Sequence, residues 1–261
     1  MQKICCRSNG KLETGHGPVD SLWIRYGKVS DALIEIKDWM NKHPEEIVVI
    51  YFGNKLGNVK EGHKELKAML ENEFNGLDGN VGLNDFWQNN SEWPTLQMAK
   101  DSNQRAFAIV RTKTEEEAKL FSGSKVLPEK QYKLDEPALD LGSGNFINVL
   151  STYQNINIGS KCKSIVDSIG RSCQVHPEAE FVKLAIFGTH AWLKNSPTKC
   201  LSTLARKCNQ QVKNSIDTCK NNGRANVNFL QVDYPNHPGP GLKTVVEIAH
   251  EENKKHVRAK A

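Results

Sequence analysis

Polar residues suited to acid–base and anion-binding chemistry follow the ends of several apolar runs in this sequence. They are histidines, an arginine, a serine, aromatic residues and an aspartate: His16, Arg111, Ser151, Tyr153, His190, Trp192, Asp233 and Tyr234. Imidazole transfers protons near neutral pH, guanidinium binds an oxyanion, a carboxylate orients a histidine, and aromatic rings stack on a ligand. Together they are typical of phosphate-ester chemistry, which needs positioned acid–base groups and positive charge at the non-bridging oxygens.

The apolar runs that would position these residues predict strands buried on both faces, as in a parallel sheet covered by helices. Five runs are long enough for this interpretation: 47–52, 106–110, 146–150, 182–187 and 227–232. Two shorter runs at 3–6 and 12–16 bring the candidate strands to seven. Since catalytic groups of a βα barrel lie at the carboxyl ends of its strands, the polar residues are expected to meet at one edge.

Helices are predicted in four segments: 32–40, 66–74, 199–220 and 242–250. In the first two, apolar side chains recur at helical spacing before a helix-ending Pro44 or Gly76. The alternation of strands and helices, with no linker rich in proline or serine, predicts a single α/β domain over 1–261. A basic tail at 251–261 ends this domain.

The composition limits the class of protein. Of the 261 residues 38% are hydrophobic and 25% are charged, which predicts a globular chain with a large core. The net charge is only +5, so no nucleic-acid partner is expected. No apolar run approaches the ~20 residues that span a bilayer, and the first residues resemble neither a secretory signal nor a transit peptide.

The seven cysteines lack the paired short spacings of a zinc site. Cys162 with Cys173, and Cys208 with Cys219, each lie eleven residues apart, but the sequence does not assign bridges. Both a buried thiol and a disulfide are consistent with the positions of Cys208 and Cys219 on the apolar stripe of the helix predicted at 199–220. The clustering favours a secreted, oxidised protein over a cytosolic one.

Four local motifs, taken in order, resemble the X-domain of phosphatidylinositol-specific phospholipase C. They are HGP at 16–18, NKHPEE at 41–46 running into the strand 47–52, EWPTLQM at 92–98, and CKNNGRANVNFLQVDY at 219–234. Each motif is modest alone. Their order and spacing, over residues 4–249, make the joint match specific.

The resemblance implies a TIM-type (β/α)8 barrel that cleaves a phosphodiester by attack of a neighbouring hydroxyl on phosphorus. One histidine of the family is the base, and a second, which matches His16, protonates the leaving alkoxide. Asp233 matches the carboxylate that orients the first histidine. Arg111 and Tyr153 match residues that contact the headgroup, and Arg7 matches an arginine that contacts the phosphoryl oxygens.

The remaining site residues keep two interpretations each. Ser151 stands where the family has a headgroup-binding carboxylate. Trp192 and Tyr234 are assigned to substrate contact or to aromatic packing at the barrel rim. The alternative for His16 is a turn histidine after a strand, and for Asp233 it is a helix N-cap or an ion pair.

The sequence also departs from the family pattern. The family's first histidine belongs upstream of the HGP motif, where this sequence has none, so we expect a barrel that lacks its first strand and helix, and impaired hydrolysis. His190 is the first candidate for a replacement base, against a structural role. Gly53 and Asn54 stand where calcium-dependent members have an acidic ligand, so no cofactor is expected. The other histidines are predicted at the surface: His43, His63, His176, His237, His250 and His256.

Three functions therefore stand as hypotheses. The first is a phosphoric diester hydrolase acting on phospholipid or glycosyl-phosphoinositide-type phosphodiesters. The second is an inactive protein of the same fold that binds phospholipid headgroups or a protein partner, and the third is an unrelated βα-barrel enzyme. The expected partner is a phospholipid headgroup, with peripheral contact to an anionic membrane surface. The expected location is extracellular, since an export signal would lie upstream of the missing strand.

Overall fold

The computed structural model of the chain describes residues 3–6, 12–16, 24–54, 59–85, 93–132, 147–151, 173, 181–186, 208–222, 227–232 and 244–258. They form a mixed α/β fold with two compact units. The first unit comprises Met1–Lys130 with Leu139–Ile147, and the second comprises Gln131–Ala138 with Asn148–Ala261.

The described residues contain nine strands and six helices. The strands are β1 (Lys3–Cys6), β2 (Leu12–His16), β3 (Ile24–Lys28), β4 (Val48–Asn54), β5 (Ala106–Arg111), β6 (Val126–Tyr132), β7 (Ile147–Ser151), β8 (Phe181–Ile186) and β9 (Phe229–Val232). The helices are α1 (Val29–Lys42), α2 (Val59–Glu73), α3 (Leu96–Asp101), α4 (Glu115–Lys119), α5 (Val212–Asn221) and α6 (Val245–Arg258).

The strands of the first unit lie side by side in the order β3-β2-β1-β4-β5-β6. Strands β1, β4, β5 and β6 are parallel, as the apolar runs predict. Strands β2 and β3 are antiparallel to their neighbours, which departs from a TIM-type barrel, where successive strands are parallel. The reason is the length of the link: five residues join β1 to β2, and a parallel crossover needs a dozen or more.

In the second unit β7, β8 and β9 are parallel neighbours. The α/β class and the parallel pairing of the predicted fold are therefore confirmed. Within the described ranges the strands do not demonstrate a closed barrel, so closure stays a prediction, as does the single domain.

All seven predicted strands are present, with ends displaced by at most two residues. Strands β3 and β6 were not predicted. The sequence of β3, IRYGK, is short and polar. The sequence of β6, VLPEKQY, contains Pro128, which has no N–H to donate, and three polar or charged residues.

The core of the first unit lies between its sheet and helices α1 and α2. It is built from alternate residues of the parallel strands and from one stripe of each helix: Ile50, Phe52, Ala106, Ala108, Val110, Val126, Leu33, Met40, Leu66, Leu70 and Phe74. The helical stripes are those that the sequence predicts. Because side chains alternate along a strand, the intervening residues face the other side of the sheet.

His63 of α2 also belongs to this helix layer. It is fully buried, and its ring meets the edge of the Phe121 ring at a centroid distance of 5.3 Å. The prediction that His63 is a surface residue is therefore wrong, because the polar residues around it in sequence lie on the opposite side of the helix.

Arg105, directly before β5, holds the amino end of the sheet. The residue is 3% exposed, and its guanidinium donates to the carbonyls of Met40 at 3.0 Å, His43 at 3.0 Å and Glu46 at 2.8 Å. Its own carbonyl accepts from the Val48 N–H at 3.0 Å. One side chain thus joins the end of α1 and the starts of β4 and β5. Helix α1 ends at Lys42, as the His43-Pro44 pair predicts.

Helix α5 of the second unit is covalently attached to Cys173. A disulfide joins Cys173 to Cys219, and Cys208 is disulfide-bonded as well. Of the two interpretations left open for Cys208 and Cys219, the disulfide is correct, and both side chains are buried. The part of the predicted helix 199–220 before Cys208 lies outside the described residues.

Helix α6 packs beside α5 through charged groups. Glu252 accepts an ion-pair hydrogen bond from Lys220, and the Lys213 ammonium lies 3.7 Å from the same carboxylate. The helix continues to Arg258, beyond the predicted end at residue 250 and into the segment predicted as a basic tail. Of the described helices, none has the length and apolar character required to cross a membrane.

Candidate functional site

Three of the eight predicted site residues lie at the ends of described strands. His16 is the last residue of β2 and pairs with Ile24, Arg111 ends β5, and Ser151 ends β7. Only Arg111 has a described side chain. The other five, and the alternative base His190, lie outside the described residues: Arg7, Tyr153, Trp192, Asp233 and Tyr234. Their convergence at one edge stays a prediction.

The first unit has a polar cluster on the sheet face opposite α1 and α2, which we call the inner face. Arg111 of β5 is in register with Glu129 of β6, and Tyr51 of β4 is in register with Ile109 of β5. Register partners in a parallel pair point to the same side, and residues two apart on one strand do so too. Tyr51, Arg111 and Glu129 therefore share the inner face.

Strands β1 and β2 extend this face. Lys3 of β1 is in register with Gly53 of β4, and Cys5 of β1 is in register with Glu13 of β2. By the same alternation Glu13, which is 8% exposed, lies on the inner face. Its neighbour Leu12 is part of the core on the opposite side. The inner face thus carries two buried carboxylates, Glu13 and Glu129.

Tyr51 and Glu129 are joined across the strand between them. The Tyr51 hydroxyl on β4 donates a hydrogen bond to Glu129 Oε2 on β6, passing over β5. Glu129 is fully buried and Tyr51 is half-buried. Burial, followed by the charge and the hydrogen bond of Glu129, raises the pKa of the Tyr51 hydroxyl, and the charge of Arg111 opposes this. Tyr51 is therefore a permanent donor to Glu129 at neutral pH.

Arg111 is half-buried at the carboxyl end of β5. The ion pairs found among the described residues do not include it. The next residue, Thr112, is buried and donates from its hydroxyl to the Glu129 carbonyl at 3.2 Å, which fixes the end of the strand. A guanidinium on a fixed strand end, with donors uncommitted to carboxylates, is suited to an oxyanion ligand.

The helix that follows Arg111 is closed at its amino end by its own residues. The Thr114 hydroxyl accepts from the Glu117 N–H at 3.2 Å, and the Glu117 carboxylate accepts from the Lys113 N–H at 2.7 Å. These bonds occupy the Glu117 amide in the first turn of α4 and the Lys113 amide just before the helix. Arg111 is therefore a better candidate for anion binding than the start of α4.

A metal ion does not fit the described part of the site. Within the described ranges no three His, Cys, Asp or Glu side chains come together as ligands. Gly53, at the position of the acidic ligand in calcium-dependent relatives, contributes no side chain.

Three inner-face residues were missed in the sequence: Glu13, Tyr51 and Glu129. Tyr51 lies in a run that was interpreted as uniformly apolar, and Glu129 lies in the strand that was not recognised. The available signal was the period of two, since Leu12, Phe52 and Val126 face the core while their neighbours face away.

Comparison with known proteins identifies one region of similarity. Residues 5–138 match the family model of the PI-PLC X domain, PI-PLC X 1, and this segment is just over half of the chain. It contains His16, Tyr51, Arg111 and Glu129. No curated protein and no solved structure matches the chain.

Proposed function

The chain belongs to the PI-PLC X domain family, of the phospholipase C-like phosphodiesterase kind, and we propose that it hydrolyses phospholipid or glycosyl-phosphoinositide-type phosphodiesters by histidine general acid–base catalysis. The observation that carries the proposal is Arg111. Its half-buried guanidinium stands at the carboxyl end of a parallel strand, inside the matched segment. In βα barrels this end of the sheet holds the active site. An anion-binding arginine at this end is what a closed barrel of this family would have, so Arg111 also supports the proposal that the barrel closes.

The proposed reaction is an in-line displacement at phosphorus. A neighbouring hydroxyl of the substrate attacks phosphorus as a base takes its proton, and the bond to the leaving alkoxide breaks. His16 gives its proton to that alkoxide, which leaves as a neutral alcohol. The other product is a cyclic phosphodiester. Hydrolysis is complete when water attacks its phosphorus, the ring P–O bond breaks, and a proton of the water passes through the acid–base groups to the released hydroxyl. Arg111 binds a non-bridging oxygen, where negative charge concentrates in the transition state.

The supporting roles follow the family assignment. Asp233 orients the base, and His190 is the candidate base within this sequence. Arg7 shares the phosphoryl oxygens with Arg111. The headgroup contacts are assigned to the remaining predicted residues: Ser151, Tyr153, Trp192 and Tyr234.

We propose an extracellular location and contact with an anionic membrane surface. Disulfides such as Cys173–Cys219 persist in oxidising compartments, which is consistent with this location. The carboxyl end of α6 carries Lys254, Lys255 and Arg258, a group of cations that attracts anionic lipid headgroups.

The test is an assay of product release from phosphatidylinositol vesicles and from soluble lysophospholipid. We expect slow turnover by the wild type, because the family's first histidine is absent from this sequence, and a further loss in His16→Ala, because the leaving alkoxide then departs without a proton whose transfer contributes on the order of 10²–10⁴-fold. His250→Ala is the matched control, since His250 is an exposed histidine of α6. Turnover that survives in His16→Ala would contradict the assignment.

Sedimentation with vesicles separates the alternative function. If the wild type sediments with phosphatidylinositol vesicles but not with phosphatidylcholine vesicles, and releases no product, it is a headgroup-binding protein without hydrolytic activity. His190→Ala, assayed beside His16→Ala, tests the candidate base.

A further inference from the structure

A buried negative charge stands beside Arg111 on the inner face. Glu129 is the register partner of Arg111 on the adjacent strand, and it is fully buried. The Tyr51 hydroxyl donates to its Oε2 atom. This hydrogen bond fixes the position of the carboxyl group on the inner face, on the strand next to Arg111.

The positive charge of Arg111 raises the affinity for a phosphate ligand at this position, and the negative charge of Glu129 lowers it. A phosphodiester carries one negative charge, whereas a phosphate monoester carries close to two above its second pKa of about 6. An isolated guanidinium attracts the doubly charged monoester more strongly. A fixed carboxylate beside it offsets that attraction for every additional negative charge on the ligand.

We propose that Glu129, held by Tyr51, is a specificity-determining residue that makes this site select singly charged phosphodiesters over doubly charged phosphate monoesters. The inference rests on the proposed function, because it takes Arg111 as the receptor of the phosphoryl oxygens. It adds that the site rejects monoesters and inorganic phosphate, which would otherwise compete with the diester.

The surroundings of the pair support this role. On β4, β5 and β6 the described ionisable residues of the inner face are Tyr51, Arg111 and Glu129. A further cationic position of this face, Lys3, is on β1, and β4 separates that strand from β5. Tyr51 donates to Glu129 and keeps its proton, so it adds no charge of its own. The carboxylate is held in place by a partner two strands away, so it does not swing out to bind the substrate. It acts through its charge.

The experiment measures dissociation constants by calorimetry at pH 8 for glycerol phosphate and for its methyl ester. These probes differ by one methyl group and one charge. A unit charge about 10 Å away, at an effective dielectric constant of about 20, changes affinity on the order of tenfold per ligand charge. In Glu129→Gln we expect the methyl ester to bind roughly tenfold tighter and glycerol phosphate roughly a hundredfold tighter.

The quantity that decides is the ratio of the two constants, which should shift about tenfold in Glu129→Gln. Tyr51→Phe should shift it in the same direction by less, and provides the readout if Glu129→Gln does not melt cooperatively. Glu73→Gln, in the helix layer where Glu73 pairs with Lys37, should leave the ratio unchanged. It controls for the loss of a distant carboxylate.

The remaining outcomes separate the two proposals. Binding that disappears in Arg111→Ala, with a ratio unaffected by Glu129→Gln and Tyr51→Phe, would overturn the selectivity role and leave the proposed function standing. Wild-type protein that binds neither probe would overturn both, because Arg111 would then not be an anion receptor.

Discussion

Two arginines stand at the two ends of β5 and differ in what surrounds their donors. Arg105, at the amino end, is buried and donates to three backbone carbonyls. Arg111, at the carboxyl end, is half-buried, and no ion pair of the described residues includes it. The same residue type therefore has a structural role at one end of the strand and is a candidate for ligand binding at the other.

This difference shows how to separate structural from functional charge. A buried arginine whose N–H groups bind backbone carbonyls indicates a structural role. A partly exposed arginine that is in no described ion pair indicates a candidate binding residue. In βα barrels the amino ends of the strands contribute to stability and the carboxyl ends carry the catalytic groups, and the two arginines follow this pattern. Substitutions at the two ends should therefore affect different measurements.

The largest expected effect is on activity at the carboxyl end. Arg111→Ala should reduce kcat/KM for the phosphodiester by about 10²–10³-fold, since it removes a donor to the charge that develops in the transition state. The free energy of unfolding, measured with urea, should fall by about 1 kcal/mol or less. A large loss of stability with normal activity in the folded fraction would contradict this prediction, because Arg111 would then be a structural residue.

The next effect is on stability at the amino end. Arg105→Met should lower the free energy of unfolding by about 2–4 kcal/mol, because it removes the hydrogen bonds of a buried arginine to three carbonyls and leaves the Glu46 carbonyl with no described donor. The kcat/KM of the folded protein should not change. Arg105→Lys is the matched control, and we expect an intermediate loss, since one ammonium does not reach all three carbonyls. An Arg105→Met protein as stable as the wild type would show that the carbonyls are satisfied otherwise.

The smallest expected effect is on the melting temperature and comes from the surface ion pair between Lys100 and Glu45, whose charged groups lie 2.7 Å apart. Like Arg105, this pair is near the amino ends of β4 and β5. The hydrogen bond from Lys100, and then its charge, hold the pKa of Glu45 below the ordinary 4.5. A lowered folded-state pKa stabilises the fold above about pH 4.5 and ceases to do so as the pH falls through that lowered value. The melting temperature of Lys100→Met should lie slightly below that of the wild type at pH 7.

The same comparison at pH 3 sharpens the prediction. There the two melting temperatures should coincide, as they should at pH 7 in high salt, because the pair is exposed and screened. A difference that persists at pH 3 would assign the effect of Lys100 to packing of its methylene groups.

The fold was predictable where one periodicity dominated a segment. The strands at 48–54 and 106–111 contain the apolar runs 47–52 and 106–110, and helix α1 ends at its His43-Pro44 signal. Strand β6 is not predicted, because Pro128 and its charged neighbours oppose a strand locally, and pairing with β5, a distant segment, stabilises it. The antiparallel pairing of β2 was also predictable, because the five residues that link β1 to β2 are too few for a parallel crossover.

The candidate site was predictable only at strand ends. Arg111 interrupts an apolar run, so its type and position signal a function. Glu129 becomes relevant because β6 lies beside β5 in a particular register, which is information about pairing between distant segments. Tyr51 resembles an ordinary strand residue until its hydroxyl partner is known. The Cys173–Cys219 pairing belongs to the same class, since spacing alone grouped each cysteine with a nearer one.

The alternation along β4 has a consequence for how this protein can diverge. Phe52 contributes to the helix-covered core, so most replacements there bring the chain closer to the threshold below which it unfolds. Tyr51, one position earlier, lies outside that core and donates the hydrogen bond that holds Glu129 on the strand next to Arg111. Lineages that descend from this sequence can therefore change ligand preference through single substitutions at position 51 while position 52 stays constrained.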